Sequence, residues 1–156
     1  MQVIDGGPKC PRVVVDYAHT PDAIEKALAA LRPQCRGELI CIVGCGGDRD
    51  RGKRAQMGRA AAKGSDRVWF TSDNPRSEDP ERILADMAHG LELPNSQRVR
   101  SEVNRAKAIA VALQSADPDD ILLIAGKGHE QTQEINGEFI PFSDFTVVHD
   151  IQGENN

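Results

Sequence analysis

Short apolar runs alternate with amphipathic segments along the whole chain. The runs at 12–16, 39–43, 68–71 and 121–125 have the length and the Val, Ile and Leu content of strands. The segments between them place apolar residues at helical spacing, for example Ile24, Leu28 and Leu31 after the capping pair Thr20-Pro21. Strands that alternate with helices predict a parallel α/β sheet.

The ends of these segments carry turn signals. Residues 1–5, the Gly6-Gly7-Pro8 stretch and residues 12–16 predict an antiparallel hairpin that leads into the sheet. Asn136-Gly137 predicts a second, tight hairpin, and Gly64 is expected to stop a helix that starts near Lys53. We therefore predict an α/β, Rossmann-like fold in which helices cover both faces of a mostly parallel sheet. Because no linker or repeat interrupts the pattern, residues 1–156 are expected to form a single domain.

Composition narrows the class of protein. The chain has 156 residues, is 39% hydrophobic and has a net charge of −5, with 19 basic and 24 acidic side chains mixed along its length. This balance argues against a nucleic-acid partner. The start lacks the features of a signal peptide, and the apolar runs are far shorter than the roughly 20 residues of a membrane-spanning helix.

Cysteine spacing argues against a zinc site or a disulfide framework. Cys10, Cys35, Cys41 and Cys45 form no CxxC pair and have no histidine at zinc-finger spacing. Cys41 and Cys45 are expected to be buried free thiols, so we predict a reduced, cytoplasmic location and no metal site on this chain.

Polar loops follow each of the four apolar runs, and those after residues 43 and 125 carry glycines. In a parallel sheet these loops leave the carboxyl ends of the strands, where ligands collect. The first loop contains Asp16, Tyr17 and His19. A carboxylate at a strand end suits ribose hydroxyls, and Tyr17 or His19 could lie against a base, although an Asp and a His also close ordinary turns.

The second loop, residues 47–54, matches most of a phosphate-binding P-loop. Arg54 stands where that motif needs Ser or Thr to bind Mg²⁺, and two carboxylates inside the loop would repel a triphosphate. We expect the loop to present Arg49 and Arg51 to an anion, with Asp48 and Asp50 orienting them. A solvated charged turn is the alternative.

The third and fourth loops suit an amino acid. Asp73-Asn74-Pro75-Arg76 combines an amide with a guanidinium that can grip a carboxylate through two hydrogen bonds, although such a sequence is also a common turn. In residues 126–130, Gly126 permits close backbone approach, and Glu130 could pair with an ammonium group. Lys127 and His129 could face phosphate or solvent, and His129 could equally be a packing residue.

Together and in this order, the four loops resemble the C-terminal domain of the Mur ligases, and among them the members that take meso-diaminopimelate. The matching stretches are residues 13–22, 44–50, 73–76 and 126–130. The resemblance implies an ATP-dependent amide-bond ligase of peptidoglycan precursor synthesis. ATP, with Mg²⁺, phosphorylates the D-glutamyl carboxylate of UDP-N-acetylmuramoyl-L-alanyl-D-glutamate, and the incoming amine attacks the acyl phosphate.

The same resemblance assigns roles to residues of this chain. It implies that Asp16, Tyr17 and His19 lie at the nucleotide and that meso-diaminopimelate binds at a second set of residues. That set is Arg49, Asp73, Asn74, Pro75, Arg76, Gly126 and Glu130. The family's UDP-sugar and central ATPase domains, which mainly hold ATP and Mg²⁺, are absent from these residues, so we expect no catalysis by this chain alone. Two alternatives remain: an amino-acid-binding module without catalysis, and a nucleotide-binding enzyme that uses Lys53.

Overall fold

A computed structural model describes residues 1–92 and 96–154, so the predicted single domain of residues 1–156 also contains five positions outside the described residues. Its main sheet has the order β1-β2-β6-β3-β4-β5, in which β1 is antiparallel to β2 and the other neighbours are parallel. These strands are β1 (Gln2–Ile4), β2 (Arg12–Asp16), β3 (Leu39–Val43), β4 (Arg67–Thr71), β5 (Val99–Glu102) and β6 (Ile121–Ala125). The N-terminal hairpin and the parallel sheet are confirmed.

The helices are α1 (Pro21–Leu31), α2 (Gly52–Gly64), α3 (Pro80–Ala88), α4 (Arg105–Gln114) and α5 (Asp144–Glu154). Side-chain caps define where several of them begin. The Thr20 hydroxyl accepts a hydrogen bond from the Ala23 amide at 3.2 Å, and the Asn104 side chain accepts one from the Lys107 amide at 3.1 Å. Each cap satisfies a backbone donor that the first helical turn leaves unpaired.

Two apolar clusters lie on opposite faces of the sheet because successive strand residues point to opposite sides. Val14 of β2 packs with α1, α2 and α3, whereas its neighbours Val13 and Val15 pack with α4 and α5. The strands β3 and β6 are buried at every position. The predicted α/β fold with helices on both faces is therefore confirmed.

Helix α2 ends at Gly64, as predicted, but this glycine is not a left-handed cap. It is the last residue of α2, and its φ angle is not positive, as a left-handed cap would require. A Cβ at this position would lie 2.8 Å from Leu28 Cδ1, so the absence of a side chain lets α2 approach α1 closely. The glycine serves packing between two helices.

The second predicted hairpin is also confirmed. β7 (Thr132–Ile135) and β8 (Glu138–Pro141) form a separate two-stranded sheet around Asn136 and Gly137, both of which have positive φ. An isolated bridge joins Arg76 to Ile135, so the hairpin packs against the loop that follows β4. Among the described residues, no helix is long and apolar enough to cross a membrane.

Candidate amino-acid-binding site

The loops that follow β2, β3, β4 and β6 enclose a cavity of about 490 Å³ at the carboxyl edge of the sheet. Eight of the residues that the sequence singled out for binding line this cavity: Tyr17, His19, Arg49, Asp73, Asn74, Arg76, Gly126 and Glu130. A volume of this order suits a small ligand. The prediction that the polar loops meet at one edge is confirmed by their positions, while the role of each residue stays a prediction.

The loop after β3 and the loop after β4 touch through their backbones. The Gly47 amide donates to the Asn74 carbonyl oxygen at 2.8 Å. A Cβ at Gly47 would lie 1.9 Å from the Pro75 carbonyl oxygen, and one at Gly44 would lie 2.3 Å from the Thr71 carbonyl oxygen. These glycines permit the contact because any side chain would collide with backbone atoms. Pro75 is buried in this seam and does not line the cavity.

Lys127 organises the acidic side of the cavity. Its ammonium lies 3.2 Å from Asp73 Oδ1, 3.0 Å from Asn74 Oδ1 and 3.3 Å from Glu130 Oε1, and the side chain is fully buried. The expectation that Lys127 faces phosphate or solvent is therefore wrong. An ammonium group withdrawn from water needs anionic partners, and two carboxylates supply them. Gly126, with φ of 110°, lets the chain turn into this position.

Arg76 is held from two sides. Its Nε donates to Glu134 Oε2 at 3.0 Å and its Nη1 donates to the Gly47 carbonyl oxygen at 2.9 Å. The Arg76 backbone has φ of 52°, and its amide and carbonyl bond to Glu134 and Asn136 of the β7–β8 hairpin. Glu134 was missed by the sequence reasoning because the hairpin comes close to Arg76 only in the folded chain.

Arg49 reaches the same cavity from the opposite loop. A Cβ at Gly46 would lie 2.7 Å from Arg76 Nη1 and 3.6 Å from Arg49 Cγ, so the two arginines flank this glycine. Arg49 is exposed, and its Nη1 donates to the Asp48 carbonyl oxygen at 2.9 Å. Its guanidinium keeps further donors for an anion.

The remaining charges of this loop differ from the prediction. Arg51 does not line the cavity; it pairs with Asp86 of α3 at 3.5 Å. The Asp48 carboxylate accepts from the Ser77 hydroxyl at 2.7 Å, and the Asp50 carboxylate accepts from the Gly52 amide at 2.9 Å. The carboxylates therefore bond to neutral donors and not to the arginines, because backbone geometry turns them toward the β4–α3 loop and the start of α2.

Arg54 is a buried structural cation that the sequence reasoning missed. It is 1% exposed, and its guanidinium contacts Glu78, Asp86 and the carbonyl oxygen of Gly46. The residue in the hydroxyl position of a P-loop therefore ties α2 to α3 and to the cavity loop. Hydrogen bonds from Arg54 and from the Asp48 amide lower the pKa of Glu78 to about 2.

Acid is expected to weaken the fold through Glu78. Its pKa is lower in the folded chain than the ordinary value of 4.5, so its contribution is complete above about pH 4.5 and is lost as the pH falls toward 2. Glu78→Gln should be less stable than the wild type at neutral pH and should lose less stability over this window. Urea midpoints measured from pH 6 to pH 2 would test this. Glu25→Gln, an exposed control in α1, should retain the wild-type slope; equal slopes in all three proteins would contradict the prediction.

The predicted nucleotide residues lie beside the cavity. Tyr17 and His19 line it, with ring centroids 4.8 Å apart, whereas Asp16 lines a neighbouring cavity that Tyr17 also borders. His129 stacks on Phe145 with centroids 5.0 Å apart, which agrees with the packing alternative. The structure thus brings Asp16 to the same sheet edge but not into the same cavity.

Cys45 lines the cavity, and Cys41 lies in strand β3 just before it. Cys41 is buried, as predicted, whereas Cys45 is only half-buried. Burial raises the pKa of both thiols to about 12, so neither is a ready nucleophile. Within residues 1–92 and 96–154, no group of three or more His, Cys, Asp or Glu side chains is arranged to hold a metal ion. The described residues therefore do not fit a complete metal site of their own.

Comparison with known proteins points to one family. The model of the family described as "Mur ligase, glutamate ligase domain" matches residues 1–128. The UDP-N-acetylmuramoyl-L-alanyl-D-glutamate–2,6-diaminopimelate ligase of Coxiella burnetii is 53% identical over 144 residues, which cover 92% of this chain and 29% of that protein. The corresponding ligase of Vibrio cholerae is 56% identical over 133 residues, covering 85% and 26%.

A solved structure of a UDP-N-acetylmuramoyl-L-alanyl-D-glutamate–2,6-diaminopimelate ligase superposes with a TM-score of 0.93 at 45% identity, covering 99% of this chain and 31% of that one. The chain thus spans about three tenths of the length of these relatives. The extent of the family match and the identity to these ligases agree with the fold and with the order of the cavity loops. The chain belongs to the Mur ligase family and corresponds to its glutamate ligase domain.

Proposed function

We propose that this chain binds the incoming amino acid, meso-diaminopimelate, for an ATP-dependent ligase that joins it to UDP-N-acetylmuramoyl-L-alanyl-D-glutamate. The observation that carries the proposal is the division of charge within one cavity. All four charged residues line it: Asp73 and Glu130 meet at Lys127, whereas Arg49 and Arg76 flank Gly46. The distal end of meso-diaminopimelate carries both an ammonium and a carboxylate, and this arrangement complements both.

Selection against lysine follows from the same residues. Lysine offers a distal ammonium but lacks the carboxylate beside it. In a closed site it would leave donors of Arg49 and Asn74 without an acceptor. Polar groups of a site that are left without a hydrogen-bond partner disfavour the ligand that lacks the carboxylate, and they do so more strongly than an apolar pocket could.

The reacting carboxylate is proposed to come from outside this chain. ATP, when bound with a divalent metal such as Mg²⁺, supplies the phosphoryl group that converts the D-glutamyl carboxylate into an acyl phosphate. The residues of this chain would hold meso-diaminopimelate so that its free amine reaches that carbon. Asp16, Tyr17 and His19 at the neighbouring edge are proposed to contact the nucleotide as the domains close.

A cytoplasmic location is part of the proposal. All four cysteines are free, which suits a reducing compartment. The proposed substrates, ATP and a nucleotide-linked sugar peptide, are hydrophilic anions. We propose no nucleic-acid or membrane partner.

Titration with meso-diaminopimelate and with L-lysine, followed by backbone amide shifts in NMR, tests the proposal. We expect shifts at Arg49, Asn74, Arg76 and Glu130 with meso-diaminopimelate and little response to lysine. Arg76→Lys, which keeps the charge but loses the planar fork, should weaken the response. Arg36→Lys, a change at a distant surface arginine, is the matched control. Equal shifts with both amino acids, or shifts away from this cavity, would contradict the assignment.

A further inference from the structure

We infer that Lys127 is a positioning residue that fixes the amide orientation of Asn74 and thereby makes the cavity selective for a ligand carboxylate. The inference rests on the proposed function and deepens it, because it identifies what sets the specificity of the proposed site. Lys127 itself does not contact the ligand.

The ammonium of Lys127 has no free donor. It carries three N–H bonds, and three acceptors surround it at 3.0–3.3 Å: Asp73 Oδ1, Asn74 Oδ1 and Glu130 Oε1. The side chain is fully buried. Its only available action on a ligand is therefore through the three groups that it holds.

Two donors determine which end of the Asn74 side chain faces the cavity. Asn74 Oδ1 accepts from Lys127 Nζ and from the Glu134 amide, each at 3.0 Å. Rotating the amide by half a turn would place its NH₂ group against both donors, which is unfavourable in a part-buried site. Nδ2 is therefore the atom left for a ligand, and because it only donates, it recognises an acceptor.

The charges that surround Lys127 and line the cavity complement the ammonium and the carboxylate of the ligand. One cation lies between two carboxylates, Asp73 and Glu130, so this side retains one net negative charge that suits an ammonium. Arg76 is balanced by Glu134, while Arg49 makes no salt bridge in the described part of the chain. A carboxylate placed between Asn74 Nδ2 and Arg49 would meet donors from both, and lysine has no such carboxylate.

Steady-state kinetics of the full-length ligase that contains this chain would test the inference. In Lys127→Met the Asn74 amide loses one of the two donors that fix its orientation, so the KM for meso-diaminopimelate should rise about tenfold or more, while the KM for ATP should change less than about twofold. The kcat/KM preference for meso-diaminopimelate over L-lysine should fall by about the same factor. Lys107→Met, at an exposed lysine of α4, is the matched control.

A second variant keeps the inference testable if Lys127→Met fails to fold. Asn74→Asp is isosteric and keeps an acceptor for Lys127, but it turns an oxygen toward the ligand where the NH₂ stood. It should fold normally and use meso-diaminopimelate about 100-fold less well, since carboxylate would face carboxylate. Unchanged selectivity in a folded Lys127→Met, equal rises in both KM values, or normal use of meso-diaminopimelate by Asn74→Asp would each overturn the inference. A wild-type ligase that cannot add meso-diaminopimelate would instead overturn the proposed function.

Discussion

Asp144→Ala is expected to lower the free energy of unfolding by about 3–5 kcal/mol. Asp144 and Arg105 are both fully buried, and the carboxylate accepts from Nε and Nη2 of the guanidinium, each at 2.8 Å. Burial acts most strongly and lowers the pKa of Arg105, but the charge and hydrogen bonds of Asp144, together with the charges of Asp73 and Glu130, outweigh it, and the pKa is raised. The arginine therefore stays charged, and removing its partner leaves an uncompensated cation in the core.

The consequence would extend to the cavity. Arg105 also donates to the carbonyl oxygens of Ser72 and Ala125, each at 3.2 Å. These residues immediately precede Asp73 and Gly126, so the buried pair sets the spacing of the two loops that carry the acidic side of the site. Loss of Asp144 is expected to weaken ligand binding as well as stability.

Urea denaturation of three variants would test this prediction. The double variant Arg105→Met/Asp144→Leu removes both charges and should be more stable than Asp144→Ala, because no ion is left unpaired. Lys26→Ala breaks an exposed ion pair of α1 and should leave the midpoint unchanged. If Asp144→Ala and Lys26→Ala denatured at the same urea concentration, the buried pair would contribute no more than a surface pair.

The fold could be predicted because its signals are local. Strands β3 and β6 are buried on both faces, so each is visible in the sequence as a continuous apolar run. Thr20 and Asn104 mark the starts of helices because their side chains cap the first turn. The convergence of the loops followed from the parallel sheet, because every parallel strand ends at the same edge. Each of these features can be recognised from neighbouring residues in the sequence or from the parallel direction of the strands.

The internal bonding of the site could not be predicted in the same way. The sequence left phosphate and solvent open for Lys127, because its actual partners Asp73 and Asn74 lie 54 and 53 residues earlier in the chain. Arg54 was recognised only as a mismatch in a P-loop motif, whereas its acidic partners come from the loop before α3 (Glu78) and from α3 itself (Asp86). For Lys127, one sequence signal of a buried position was available: it stands between two glycines directly after an apolar strand.

Gly47→Ala is expected to displace the loop that carries Asn74 and Arg76. The new Cβ would lie 1.9 Å from the oxygen and 2.6 Å from the carbon of the Pro75 carbonyl, and backbone atoms cannot move aside as a flexible side chain can. Overpacking of this kind costs about 1–3 kcal/mol of stability. A shift of about 1 Å in a positioning loop can weaken its action about 100-fold, so meso-diaminopimelate binding should fall by about that factor.

The matched control is Gly153→Ala in α5, where a Cβ meets no atom within 4 Å. This change should be neutral or should stabilise the helix by about 0.5–1 kcal/mol, since alanine is the better helix former. Urea midpoints, amide shifts of residues 74–76 and the meso-diaminopimelate titration would separate the two variants. If Gly47→Ala bound meso-diaminopimelate as the wild type does, the close contact between the two loops would not determine the geometry of the cavity. If it lost binding at a nearly unchanged urea midpoint, the glycine would be required for the position of Asn74 and Arg76 more than for folding.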